Sequence, residues 1–226
     1  MELYINKSWK LEQIKDIWFK LEKEMQNLTE NNLENIFWLE CIKSEFSLNN
    51  LRIDTLAFDN ENNSFVIIEF KKWSSYSVID QGFTYLSMLL NNKANFSHEL
   101  GRKRTQFIDM ESIDWSQSKV IFIADSFTRY QKESINFKDL PIELYEMKQF
   151  NNWTIIYNSI LATNTTESIK TITKLETEFK EINKEIKIYS IDEHFKDWWD
   201  LTKELYNNVK ERILFLDSRS MSSEWL

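Results

Sequence analysis

Residues 51–71 read LRIDTLAFDNENNSFVIIEFK, and the fold class turns on them. Residues 51–58 have the β-branched and apolar content of a strand, and the run DNENN at 59–63 is a polar turn. Residues 65–71, FVIIEFK, are apolar on both faces until their end, which predicts a central strand of a sheet. Upstream, Leu11, Ile14, Ile17, Trp18, Leu21, Met25 and Leu28 recur at threes and fours and predict an amphipathic helix over 10–28. Asn31 or Asn32 caps a second predicted helix that runs to about residue 46, with Cys41 packed on its apolar face. Downstream, Asp80 caps a helix carrying Phe83, Leu86, Met88, Leu89 and Leu90. Residues 119–124, KVIFIA, are another buried strand, and 141–150 with 153–160 pair as a hairpin through Asn151-Asn152. The order helix, helix, strand, strand, helix, strand, hairpin predicts an α/β fold with a mixed central sheet flanked by helices. Residues 162–187 read as a linker, and 188–226 as a C-terminal helical extension with an unstructured end, SRSMSSEWL. The expected domains are an N-terminal helix (1–28), a core (29–161), the linker and the extension.

Composition removes whole classes of chemistry. A chain of 226 residues holds one good core and a small appendage. Two glycines exclude Walker and dinucleotide loops, which need several where backbone approaches phosphate. One cysteine excludes an intrachain disulfide and any multi-cysteine zinc site. His98 and His194 are too far apart for a paired-histidine zinc motif. No run of apolar residues is long enough to span a bilayer, the first residues form no secretory signal, and a lone free thiol suits a reducing interior. The expectation is a cytoplasmic protein with no membrane partner.

Glu69-Phe70-Lys71 closes the apolar strand. Residues i and i+2 share a strand face, so Glu69 and Lys71 point one way and Phe70 the other. Ionisable groups at the end of such a strand are costly unless something binds there. Asp54 sits within the preceding strand, where an acid is disfavoured. If the two strands pair, Asp54 and Glu69 converge. Two carboxylates with a backbone carbonyl make a hard, oxygen-rich site suited to Mg²⁺, and a lysine beside it can hold or help deprotonate a water. The Glu-x-Lys pattern alone says little, since it recurs at Glu146, Glu178 and Glu185. Only Glu69 closes an apolar strand, follows an acid-bearing strand and precedes a capped helix. The same three residues also fit a structural ion pair at a sheet edge.

Four segments, LEN at 33–35, RIDTLAFD at 52–59, VIIEFKK at 66–72 and IDQGFTYLSML at 79–89, resemble the PD-(D/E)xK nuclease superfamily in order and content. The closest likeness is to its NucS-type endonuclease branch, over about residues 29–160, with INFKDLPIELYEMKQF at 135–150 similar to the downstream part. That resemblance implies a restriction-endonuclease-like core and metal-dependent hydrolysis of phosphodiester bonds in DNA, in repair, restriction or phage defence. It implies Asp54 and Glu69 as ligands of Mg²⁺ or Mn²⁺, with the Phe70 carbonyl assisting. Lys71 would position or activate water, Glu34 would supply a further acid, and Gln81 would be the polar helix residue facing the site. Leu51 stands where the family often has glycine. Residues 185–217 resemble the opening of a small uncharacterised domain (DUF5655-like), which would be truncated here.

Other residues carry two readings each. Glu34 fits a surface acid on a helix, and Gln81 fits a second helix cap. Lys72 and the Arg102-Lys103-Arg104 cluster are natural phosphate contacts, but a charge run is commonly a solvated face. Trp73, Tyr76 and Tyr85 suit base stacking or a core. The net charge of −8 argues against a general basic coat. Residues 1–104 carry 13 Lys and Arg against 15 Asp and Glu, so most of the acidity lies beyond the site. Binding to DNA is then expected to be local and metal-assisted, and a homodimer suits duplex cutting. The competing expectation is a non-catalytic nucleic-acid-binding or protein-interaction module that keeps the fold.

Overall fold

The computed structural model describes residues 2–72, 78–137, 139–161, 168, 202–210 and 212. The chain divides into two compact units, Met1–Ile188 and Tyr189–Leu226. In the second, residues 202–210 are helical with Leu205 and Val209 exposed. The expected linker and most of the expected C-terminal extension, like Trp73 and Tyr76, lie outside the described residues. Among the described residues no helix is long and apolar enough to cross a membrane.

The first unit is an α/β fold built on a mixed sheet. Its strands are β3 (Asp16–Ile17), β4 (Leu39–Leu48), β5 (Leu51–Asp59), β6 (Ser64–Lys71), β7 (Lys119–Ala124), β8 (Ile142–Phe150) and β9 (Ile155–Ile160). They lie in the order β3-β8-β7-β6-β5-β4, with β9 also on β8. The strands β6, β7 and β8 are parallel, and every other pairing is antiparallel. As the sequence predicts, β6 is central: every residue from Ser64 to Phe70 is buried. The hairpin expected near Asn151-Asn152 is β8–β9.

The sheet is covered on both faces. On one, Phe65 and Ile67 of β6 and Phe122 of β7 pack with Phe83, Leu86 and Leu89 of α3 (Val78–Asn91) and with Phe96 and Leu100 of α4 (Lys93–Arg104). On the other, Val66, Ile68 and Phe70 pack with Met25 of α1 (Glu22–Glu30) and Leu33 of α2 (Leu33–Phe37). Gly82 lets α3 lie close on β8: a Cβ there would stand 2.5 Å from Ile142 Cδ1, and that side chain would have to shift. A short helix, α5 (Arg129–Ser134), follows β7 and opens on a Thr128/Gln131 capping box.

Two predicted helices are corrected. Residues 10–28 are not one helix: β2 (Lys10–Ile14) pairs with β1 (Leu3–Lys7), β3 joins the sheet, and α1 begins only at Glu22. The helical spacing there was a coincidence of residues that bury little, since Leu11, Ile17, Trp18 and Leu21 are all exposed. Pairing of Asp16 and Ile17 with Phe150 and Gln149, far away in sequence, decides the outcome. The helix expected to reach residue 46 stops at Trp38, whose φ of 55° closes α2, its N–H reaching the Glu34 and Leu33 carbonyls. The chain then becomes β4, which buries Leu39, Ile42 and Phe46 and leaves Cys41 half-buried on a strand.

Candidate active site

The candidate site sits at the carboxyl ends of the parallel strands, where Lys71, Ala124 and Glu146 lie side by side. The β5–β6 ladder ends at Thr55 and Ile68. One residue further on, the two chains part, and the Asp54 side chain takes over: its Oδ2 accepts the Phe70 N–H at 3.0 Å. An acid inside β5 is thus explained, because it closes a ladder that backbone no longer closes. Gln26 of α1 donates to the Asp54 carbonyl at 2.8 Å and fixes the strand from the other face.

Glu69 is buried and held by three donors. Lys71 Nζ (2.7 Å) and Gln81 Nε2 (2.8 Å) meet its Oε1, and the Tyr85 hydroxyl lies 3.0 Å from its Oε2. Gln81 and Tyr85 are four apart, on one face of α3, and Gln81 also donates to the Tyr85 oxygen at 2.8 Å. The single Tyr85 proton is shared between Glu69 and the Arg52 carbonyl, 3.0 Å away. Burial and the nearby Glu69 charge push the Tyr85 phenol well above its ordinary range, so it stays a proton donor. Burial, reinforced by Glu69, raises the Asp54 carboxyl to about 6, against the opposing Phe70 N–H and Lys71 ammonium. The two carboxylates therefore repel one another across a half-buried space, the condition that a cation relieves.

Asp54, Glu69, Lys71 and Gln81 are brought together, and other expected members are not. Glu34 is exposed on α2, which leads into Leu39, and Leu39 pairs with Asp59. Asp59 lies five residues from Asp54 along β5, roughly 16 Å away, so Glu34 belongs to the other end of the sheet. The helix acid at the site's edge is Glu22, at the start of α1, whose Oε1 accepts the Lys72 N–H at 2.7 Å. Arg104 is also at the far end: it bonds Glu40 (2.5 Å) and Asn60 and lies over the Phe58 ring at 4.9 Å. Arg102 pairs with Glu99 at 3.2 Å. With Lys103 they form the basic last turn of α4, where cations suit the helix dipole. Lys72 is at the right end, but its ammonium bonds the Lys20 carbonyl at 2.6 Å.

Three residues at this edge escaped the sequence reading. Tyr85, given there as a stacking or a core residue, is buried as the core reading has it, and what escaped was its contact with Glu69; its signal was the four-residue spacing from Gln81. Glu22 had none, because the helix it opens was misplaced. Asp125, one residue past β7, is buried with its carboxyl raised by that burial, and the pairing of β7 with β6 alone shows it is near Lys72.

Among the described residues no group of three or more His, Cys, Asp or Glu side chains is arranged to hold a metal. Asp54 and Glu69 supply two carboxylates, and Asp54 Oδ1 and the Phe70 carbonyl remain as further oxygen donors. That set fits Mg²⁺, which binds through one or two carboxylates and keeps several waters.

No family model matches the chain. It is 44% identical over 217 residues to an uncharacterised protein of Haemophilus influenzae, a match covering 96% of this chain and 72% of that one. Two solved structures are similar at 17% identity and a TM-score of 0.32: a repair endonuclease from Pyrococcus abyssi, covering 57% of this chain and 48% of that one, and an EndoMS–dsDNA2 complex, covering 61% and 54%. The chain thus spans about half the length of each. Nothing supports the DUF5655-like reading of the C-terminal residues.

Proposed function

The chain belongs to the same family as that Haemophilus influenzae protein, and we propose that it is a metal-dependent nuclease that hydrolyses phosphodiester bonds in DNA. The observation that carries this reading is the convergence of Asp54, Glu69 and Lys71 where β5 and β6 part. A carboxyl such as Asp54, raised by its burial and by the neighbouring Glu69, adds nothing to the fold of the metal-free protein at neutral pH. A bound Mg²⁺ or Mn²⁺ would supply a water of lowered pKa and neutralise charge on the phosphate. Asp54 and Glu69 hold the cation. Gln81 and Tyr85 fix the Glu69 carboxylate from behind, and Tyr85 remains protonated at any working pH. Lys71 orients the attacking water and meets the negative charge that grows on the phosphoryl oxygens.

A second reading is favoured by one observation. Lys71 and Glu69 already bond at 2.7 Å, as in a structural ion pair of a non-catalytic binding module. Labelled single-stranded, flap and duplex DNA, incubated with Mg²⁺ or Mn²⁺, separates the two. The nuclease reading expects cleavage by the wild type and a loss of two or more orders of magnitude in Asp54→Ala and Lys71→Ala. Equal cleavage by all three proteins would mean that these residues do no chemistry.

A further inference from the structure

The chain ahead of α1 is not explained by packing. The strands β1 and β2 form a two-stranded sheet in which all residues except Leu3 and Ile14 are exposed. Such a hairpin is marginal in water without a partner. Its tip, Ser8-Trp9, has φ of 53° and 68°, and Asn6 Oδ1 accepts the Trp9 N–H at 2.9 Å. Two positive φ values at a two-residue tip are the geometry for which glycine and asparagine are chosen. A tryptophan there is an outlier, and with 96% of its surface exposed it contributes nothing to the fold.

The hairpin's foot stands on the same rim as the candidate site. Lys15 and Asn151 exchange two bonds, and β3 pairs with Gln149 and Phe150 on the edge of β8 that β7 has left. That pairing lies three to four residues past Glu146, which is level with Lys71, so the foot is roughly 10–13 Å beyond the carboxyl ends of the strands. Lys72, next to Lys71, bonds the Lys20 carbonyl and ties this passage to the site. Two more tryptophans stand on this rim, Trp18 at 71% and Trp153 at 81% exposure, the latter again at positive φ (68°).

Charge selects the partner. Residues 2–20 hold four lysines against three carboxylates in a chain whose net charge is −8. Lys10 flanks the tip, while Lys7 pairs with Glu12 at 2.6 Å. At the opposite end of the sheet, exposed Trp38 shares its cleft with Asp59, Glu61 and the Lys119–Glu143 ion pair, surroundings that are negative on balance.

We propose that the β1–β2 hairpin is a nucleic-acid-binding wing. Unpaired bases stack on Trp9, and on Trp18 and Trp153 at its foot, while Lys10, Lys15 and Lys20 neutralise the backbone. This rests on the nuclease reading, and it names single-stranded nucleic acid beside the cleaved bond as what that site engages. Base–aromatic stacking tolerates any sequence and is strong enough for one tryptophan to matter.

The test is fluorescence anisotropy of a labelled single-stranded 20-mer with the full chain in EDTA, where no cleavage occurs. Trp9→Ala is expected to weaken binding about tenfold, Trp9→Phe to keep most of it, and Trp38→Ala to change nothing. Lys10→Ala is expected to lower the salt slope by about one. Circular dichroism establishes that each variant is folded. Wild-type binding by Trp9→Ala overturns the wing, as does a change from dimer to monomer in that variant, which would make the hairpin a contact between copies. If Asp54→Ala stops cleavage while Trp9→Ala binds normally, the wing alone fails. If Trp9→Ala binds weakly while Asp54→Ala cleaves as wild type does, the nuclease reading alone fails.

Discussion

Replacing Asp54 by asparagine is expected to make the metal-free protein more stable above pH 7. The native carboxyl is raised to about 6, first by burial and next by Glu69. In the unfolded chain it has the ordinary value near 4. A group raised on folding contributes stability that is fully present below the unfolded pKa and is lost as pH rises through the folded one. Two units correspond to about 3 kcal/mol, lost progressively from about pH 4 to pH 7. Asparagine keeps an oxygen for the Phe70 N–H and does not titrate. Urea denaturation in EDTA, at pH 5 and pH 8, isolates the effect. The stability gap between Asp54→Asn and the wild type should widen in the variant's favour by about 1–2 kcal/mol from pH 5 to pH 8, since part of the loss precedes pH 5. Changes in shape or hydrogen bonding are common to both pH values and cancel. A gap that stays constant, or moves toward the wild type, would refute the reasoning that Asp54 is held against burial and a neighbouring charge.

The same linkage makes Mg²⁺ protection pH-dependent. About one Asp54 in ten is ionised a unit below its pKa, so Mg²⁺ should raise the melting temperature clearly at pH 8 and bind roughly tenfold more weakly at pH 5, by titration calorimetry. Tyr85→Phe removes the donor to Glu69 Oε2 and is expected to cost about 1–3 kcal/mol in urea denaturation. It should also slow cleavage, if Glu69 is a ligand held in place by that bond. Arg104→Ala breaks the tie to Glu40, Asn60 and Phe58 and should cost about 1 kcal/mol, while leaving DNA affinity unchanged in the anisotropy assay.

Residues whose role follows from their own strand or helix were legible in advance. Glu69 and Lys71 share a face because alternation along β6 requires it; Gln81 faces them as the family resemblance implied, on a helix that begins at Val78 and so holds Asp80 in its first turn instead of being capped by it. Glu34 was placed on a helix, as found, and Arg104 on no element, but both lie at the other end of the sheet, because neither spacing nor charge says which end a residue reaches. The stretch 10–21 failed because apolar spacing marks a helix only when the apolar residues are buried, and Leu11, Ile17, Trp18 and Leu21 are not.

By itself the sequence determined the central strand, its closing Glu-x-Lys, the acid on the neighbouring strand and the α/β class. These depend on short-range periodicity and on the high cost of charge at the end of an apolar run. Tertiary structure alone decided that β5 parts from β6 at Asp54, that Tyr85 stands behind Glu69, that Glu22 and Asp125 join this edge, and that the N-terminal hairpin rises from the same rim. Each depends on contacts between different elements of the fold, formed only when the strands pair and the helices pack on them.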